Sequence, residues 1–218
     1  MLPADGIVGT VVLVLHGGRA RSNLPMQPWR LAYLRMLPFA HAAHRAANEA
    51  PAHAGTAVCL LRNHLRGWNE PQRNPIRDAR WALSELRRIH PAANIVLVGH
   101  SMGGRAALRL AGDDGVTAVC ALAPWIERDE PIRQLSGKSV LIIHGDRDRM
   151  TSQHASADYV RRASRSHPDV RFVPVAGSGH AMLRHSGLWT SLVRGFTRDA
   201  VTTIGPSQHR QHPCGQGE

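Results

Sequence analysis

The sequence predicts an α/β protein with a mainly parallel β-sheet of about six strands and helices on both faces. Short apolar runs alternate along the chain with longer segments whose apolar residues recur at helical spacing. Most of the short runs are continuously apolar rather than alternating, which is typical of strands that are buried on both faces of a parallel sheet. Strands that alternate with helices are joined by right-handed crossovers, so we expect the sheet to lie between two layers of helices.

The predicted strands are the runs richest in β-branched and aliphatic residues: 10–15, 57–61, 95–98, 116–122, 139–143 and 170–175. The predicted helices are 32–48, interrupted near Pro38, and then 75–90, 104–111, 152–164 and 183–200. Pro75 suits the first turn of its helix, where a backbone N–H is not needed. We expect residues 1–201 to form one domain and residues 202–218 to be a polar, disordered tail.

The charge of the chain is strongly basic, with a formal net charge of +11 over 218 residues. Lys138 is the only lysine, so arginine supplies almost all of this charge, and the arginines are dispersed without a long block of like charges. Aromatic residues, which could stack on bases, are few. We therefore expect no nucleic-acid partner.

The chain has no apolar run long enough for a membrane span and no basic segment of the kind that opens a signal peptide. Its cysteines, Cys59, Cys120 and Cys214, form no C-x-x-C pair, which argues against a zinc or redox motif. We expect a cytoplasmic protein with no metal and no cofactor; the sequence does not indicate its oligomeric state.

The pentapeptide Gly99-His100-Ser101-Met102-Gly103 matches the G-x-S-x-G pattern between a predicted strand and a predicted helix. In this context the serine occupies a strained turn, and the flanking glycines let the strand and the helix approach each other. The alternative is an ordinary glycine-rich connection that carries a solvated serine.

Further polar residues follow other strands of the predicted sheet. Asp146 and Asp148 follow the fifth strand, and His180 lies in a small-residue loop after the sixth. The carboxyl ends of parallel strands meet at one edge of the sheet, so these groups are expected near Ser101. A serine hydroxyl needs a base to become a nucleophile, and the base needs a carboxylate to orient it.

Taken together, four segments resemble the α/β-hydrolase fold superfamily, and they occur in the order that this family shows over roughly residues 10 to 200. They are His16-Gly17-Gly18, Gly99 to Gly104, Gly145 to Asp148 and Gly179-His180. The resemblance implies that Ser101 is the nucleophile and His180 the base. The family's acid follows a glycine by three residues, which selects Asp148 over Asp146. His154, His167 and His185 are expected to be surface residues.

An oxyanion formed at Ser101 would need preorganised donors. The backbone N–H of Met102 is one candidate, because it follows the nucleophile at the start of a helix. The resemblance assigns the second donor to Gly18, although an ordinary Gly-Gly turn would also explain that residue.

Two departures from the larger family are evident. No strand pattern precedes residue 10, so an initial hairpin is missing, and the segment 123–138 is too short for a cap domain. We expect an open site, with Trp125 either lining the acyl pocket or belonging to the core or rim. Arg62 and the loop 65–68 are further candidates for the border of the site, or a solvated loop.

The predicted function is that of a serine hydrolase that cleaves a carboxylic ester or thioester of a small molecule through an acyl-enzyme. The alternatives are a peptidase or acyltransferase with the same triad, and a non-catalytic protein that binds a small molecule.

Overall fold

The computed structural model describes residues 8–49 and 55–203, and its strands form one six-stranded sheet. The strands are β1 (Val8–Leu15), β2 (Gly55–Leu61), β3 (Asn94–His100), β4 (Val116–Leu122), β5 (Ser139–Gly145) and β6 (Val170–Val175). They lie in the order β2-β1-β3-β4-β5-β6, and every neighbouring pair is parallel. The predicted fold class and strand number are confirmed.

The helices are α1 (Leu31–Leu34), α2 (Leu37–Glu49), α3 (Asn74–Ile89), α4 (Met102–Arg109), α5 (Gln153–Ala163) and α6 (Ser186–Thr203). The predicted interruption near Pro38 lies before that residue, because a proline is tolerated in the first turn of α2. Helix α6 continues through Thr203, the second residue of the predicted tail, and residues 204–218 lie outside the described residues. None of the helices in the described ranges combines the length and apolar composition needed to cross a bilayer.

Alternate residues of β1 point to opposite faces of the sheet and enter two separate apolar cores. Val11 and Leu13 pack with buried side chains of α3, α4 and α5, whereas Val12 and Val14 pack with those of α2 and α6. Both faces of the strand are therefore covered, which explains why its sequence is continuously apolar.

The order of the strands reverses between β1 and β3, so the loops after these two strands diverge and leave a crevice at the carboxyl end of the sheet. Ser101 directly follows β3, and His16 opens the loop after β1. The segment between β4 and β5 contains only a 3₁₀ turn, Arg133–Leu135, and no inserted domain.

Candidate active site

Ser101 occupies the sharp turn between β3 and α4, with a φ of 56° and a ψ of −117°. Such a conformation costs a non-glycine residue about 1–3 kcal/mol, and the surrounding structure must enforce it. A Cβ atom on Gly103 would lie 2.5 Å from the carbonyl oxygen of Leu15, and one on Gly99 would lie 2.6 Å from the carbonyl carbon of Gly103. Both glycines are therefore required by the close approach of the strand and the helix.

The structure brings Ser101, His180 and Asp148 into one chain of hydrogen bonds. The Nε2 atom of His180 lies 3.0 Å from the Oγ atom of Ser101, and its Nδ1 atom lies 2.7 Å from Oδ2 of Asp148. A carboxylate can only accept, so Nδ1 carries the proton and Nε2 is left to accept from the serine hydroxyl. This is the tautomer that a general base for Ser101 requires.

The carboxylate of Asp148 is fully buried and accepts further hydrogen bonds. Oδ2 accepts from Nε2 of His144 at 3.1 Å and from Oγ1 of Thr151 at 2.8 Å, and Oδ1 accepts from the backbone N–H groups of Met150 and Thr151. Burial alone would raise the pKa of Asp148, but the hydrogen bonds outweigh it and hold the pKa well below its ordinary value. The group is therefore a carboxylate at neutral pH.

Asp146, the alternative acid, has a different environment. Its Oδ1 atom accepts from the backbone N–H of Gly177 at 2.7 Å, in an exposed turn. Asp146 therefore ties together the loops after β5 and β6, while Asp148 is the aspartate that contacts His180.

Two further histidines support the site, and sequence reasoning gave neither a role. His144 joins Asp148 to the hydroxyl of Ser156, which lies 2.8 Å from its Nδ1 atom. His100 lies 3.0 Å through Nε2 from the carbonyl oxygen of His180, and burial, followed by the proximity of His180, lowers the pKa of His100 to about 3. Each lies at or near the end of an otherwise apolar strand, which is the signal that could have identified it.

The two predicted oxyanion donors lie beside each other. Met102 is the first residue of α4, so its backbone N–H has no intrahelical partner. A Cβ atom on Gly18 would collide with the side chain of Met102 and lie 2.5 Å from the carbonyl oxygen of Arg66. His16 orders this loop: its Nδ1 atom lies 2.7 Å from the carbonyl oxygen of Gly17.

A cleft of about 680 Å³ contains most of the predicted site residues. It is lined by Ser101, His180, Gly18, Met102 and Trp125, together with residues that the sequence did not indicate. Asp148 lies behind His180 and does not line the cleft.

Trp125 belongs both to the cleft and to the protein interior. Its backbone N–H donates to the carbonyl oxygen of Ser101 at 3.1 Å. The guanidinium of Arg105 lies over the rings of both Trp68 and Trp125, 4.6 Å and 4.5 Å from their centroids, and the two rings pack edge to face against each other. Arg105 also donates to the buried carboxylate of Glu130 at 2.8 Å, so these contacts anchor the helix that directly follows Ser101.

The remaining residues that the sequence analysis named do not line the cleft. Arg62 donates to the carbonyl oxygen of Met26 and does not line the cleft. In the loop 65–68, Trp68 is fully buried, whereas Arg66 lines a hollow that adjoins the cleft. His185 precedes α6, and His154 is an exposed residue of α5 paired with Asp158. Within residues 8–49 and 55–203, no group of three or more His, Cys, Asp or Glu side chains is arranged to hold a metal ion.

Known structures resemble this one closely in fold. An α/β serine hydrolase without lid from Xanthomonas campestris superposes with a TM-score of 0.66 at 18% identity, covering 94% of this chain and 88% of that one. The Pyrococcus furiosus esterase Pf2001 gives 0.66 at 17% identity, over 87% and 80% of the two chains. Est1E from Butyrivibrio proteoclasticus gives 0.62 at 17% identity, over 92% of each.

At these identities the likeness establishes the fold alone, and no curated protein matches the chain in sequence. A family model described as an alpha/beta hydrolase domain matches residues 62–188. This match covers more than half of the chain and includes the turn at Ser101 and the segments that carry Asp148 and His180. The chain therefore belongs to the alpha/beta hydrolase domain family.

Proposed function

We propose that this protein is a serine hydrolase that cleaves a carboxylic ester or thioester of a small molecule through an acyl-enzyme. The observation that carries the proposal is the hydrogen-bonded chain from Ser101 through His180 to the buried Asp148, at the edge of an open cleft. A protein that only bound a ligand would need neither the strained serine nor the buried carboxylate.

In the first half of the reaction, the Oγ atom of Ser101 attacks the carbonyl carbon of the substrate while Nε2 of His180 takes the hydroxyl proton. The imidazolium that forms is stabilised by Asp148, 2.7 Å from Nδ1. The oxyanion accepts hydrogen bonds from the backbone N–H groups of Gly18 and Met102. His180 then gives its proton to the leaving alkoxide or thiolate, and the acyl group remains on Ser101.

In the second half, water enters the cleft and His180 takes one of its protons. The resulting hydroxide attacks the acyl-enzyme, the same two N–H groups stabilise the oxyanion, and the carboxylic acid is released as Ser101 recovers its proton. Neither half requires a metal or a cofactor.

The substrate class is drawn from chemistry and from likeness in fold. The triad serves esters, thioesters and amides alike, and a cleft of about 680 Å³ is of the size that holds a small molecule. The Pyrococcus protein is an esterase, and Est1E has been seen with bound ferulic acid. An ester of a small acid is accordingly the first substrate to test.

The proposal is tested by labelling the folded protein with a fluorophosphonate probe and mapping the modified peptide. We expect covalent modification at Ser101, none in Ser101→Ala, and turnover of para-nitrophenyl esters by the wild type alone. Ser136→Ala, at the end of the 3₁₀ turn, is the matched control and should label like the wild type. Folded protein that stays unlabelled at Ser101 would refute the enzymatic function and favour a ligand-binding role.

A further inference from the structure

Four arginines line either the proposed catalytic cleft or the hollow that adjoins it. Arg19 and Arg21 line the cleft itself. Arg30 and Arg66 line an adjoining hollow of about 380 Å³, which shares Gly18 and Arg19 with the cleft. The two spaces therefore meet at the residue assigned to the oxyanion hole.

These arginines are not neutralised by the described part of the chain. Among residues 8–49 and 55–203, none of the four has a carboxylate within 4.0 Å, and neither the cleft nor the hollow is lined by an acidic residue. Elsewhere, arginines such as Arg80 and Arg194 do pair with carboxylates. The positive charge of the four arginines is thus left for a ligand.

Backbone hydrogen bonds join the loops that carry two of these arginines, Arg19 and Arg66. The N–H of Arg19 donates to the carbonyl oxygen of Arg66 at 2.9 Å, and the N–H of Arg66 donates to that of Leu24 at 2.9 Å. Arg30 directly precedes α1. Partial desolvation, together with the nearby Arg30 and Arg19 cations, lowers the pKa of Arg66, as expected for like charges that are held close together.

The rest of the hollow is apolar. Its lining includes Met26, Trp29, Leu31 and Ala32, and the side chains of Trp29 and Leu31 are 67% and 74% exposed. A ligand that fits this lining has an apolar body and a negatively charged end.

We propose that the hollow is a substrate subsite that binds a carboxylate or phosphate group carried on an apolar part of the ester, remote from the scissile carbonyl. The guanidinium groups of Arg30 and Arg66 would each present a planar pair of donors, which matches the oxygen geometry of both anions. The catalytic role of the subsite depends on the proposed function; its binding of anions does not.

The kinetic test compares esters that differ only in charge. In the first pair, the anionic para-nitrophenyl hemiglutarate is compared with the neutral para-nitrophenyl pentanoate, so the charge lies on the acyl side. In the second pair, the anionic para-acetoxybenzoate is compared with the neutral para-acetoxybenzamide, so the charge lies on the leaving group. We expect kcat/KM to favour the anionic member of at least one pair by about tenfold or more, and less so at high salt. In Arg30→Gln and Arg66→Gln this ratio should fall towards one.

Arg171→Gln is the matched control. Arg171 is also exposed and has no carboxylate within 4.0 Å among the described residues, but it lies near the amino end of β6, away from the cleft. The Arg171→Gln variant should retain the wild-type ratio of kcat/KM between the anionic and the neutral ester. The proposal would be overturned if kcat/KM were no higher for the anionic ester than for the neutral one in both pairs. It would also be overturned if a preference for the anionic ester survived both arginine substitutions.

A binding measurement separates this proposal from the proposed function. Titration calorimetry of Ser101→Ala should detect phenyl phosphate or benzoate but not benzyl alcohol, and the signal should weaken in the double variant with Arg66→Gln. The stronger of the two anions identifies the preferred group. Arginine-dependent binding without labelling of Ser101 would retain the subsite and reject the hydrolase. Labelling of Ser101 without arginine-dependent binding of anions would retain the hydrolase and reject the subsite.

Discussion

His100 holds His180 through the backbone: the Nε2–H group of His100 donates to the carbonyl oxygen of His180 over 3.0 Å. The two rings also pack together, with centroids 4.7 Å apart. His100 directly precedes Ser101 in the chain, so the residue before the proposed nucleophile fixes the loop that carries the proposed base. His100 therefore links the segments that carry the two partners of the hydrogen bond between Ser101 and His180.

The first prediction concerns this bond. His100→Phe keeps a planar ring but leaves the carbonyl of His180 without its donor, at a cost of about 1–3 kcal/mol. We expect kcat for a neutral ester to fall about tenfold or more with little change in KM, because the base loses its alignment. His100→Gln, which keeps an N–H donor, should recover part of kcat. Equal kcat values for the Phe variant and the wild type would show that the bond does not position the base.

The second prediction discriminates between the two aspartates. Asp148→Asn removes the acceptor that fixes the tautomer of His180, and kcat should fall by a factor on the order of 10³ to 10⁴. Asp146→Asn keeps a side-chain oxygen that can accept from the backbone N–H of Gly177, and the turn is exposed, so its kcat should stay within a few fold of the wild type. Steady-state kinetics of both variants decides the matter, and a larger loss in the Asp146 variant would reverse the assignment.

The third prediction is the acid dependence of stability. The pKa of buried His100 is about 3, whereas a histidine in an unfolded chain titrates near 6.5. Between these values the unfolded state binds a proton that the folded state does not. His100 thus lowers the free energy of unfolding as pH falls below about 6.5, by up to about 1.4 kcal/mol per pH unit, and has no such effect above. Urea unfolding from about pH 7 to about pH 4.5 should show a shallower decline for His100→Phe; a decline as steep as that of the wild type would contradict the assignment.

The fourth prediction concerns Gly18. An alanine Cβ there would lie 2.5 Å from the carbonyl oxygen of Arg66 and against Met102, so the loop that carries the proposed oxyanion donor must move. We expect Gly18→Ala to lower kcat by a factor on the order of 10². Gly195→Ala is the control: nothing lies within 4 Å of its Cβ, and it should stabilise α6 by about 0.5–1 kcal/mol. Wild-type kcat in Gly18→Ala would argue against the oxyanion role.

Local sequence patterns predict much of the fold. The strand 116–122 is found with the predicted bounds, because a buried parallel strand is a continuous apolar run that local patterning identifies. The predicted first residues of the helices agree less well with the structure than the bounds of this strand do. The last helix begins at Ser186 rather than 183, after Met182 and His185 adopt positive φ angles that the sequence does not signal.

The site was predictable only in part. Ser101, Asp148 and His180 were indicated because each follows a strand in a recognisable order. The sequence indicates the loop 65–68, which carries Arg66, as a candidate for the border of the site, but not the neighbours of Arg66. The hydrogen bond of His100, the packing of Arg105 against two tryptophans and the clustering of Arg66 with Arg19 and Arg30 all join segments that are distant in the chain. Contacts between residues so far apart in sequence leave no periodic pattern along the chain.

The short connection between β4 and β5 has a kinetic consequence. Because this connection contains no inserted domain, substrate entry and product departure in the proposed reaction would need no hinge motion, and its turnover would proceed without a gating step. An acyl group held on Ser101 would stay in contact with bulk solvent throughout its lifetime. Its fate would then be decided by competition between water and any dissolved nucleophile, rather than by a closed chamber that admits one of them.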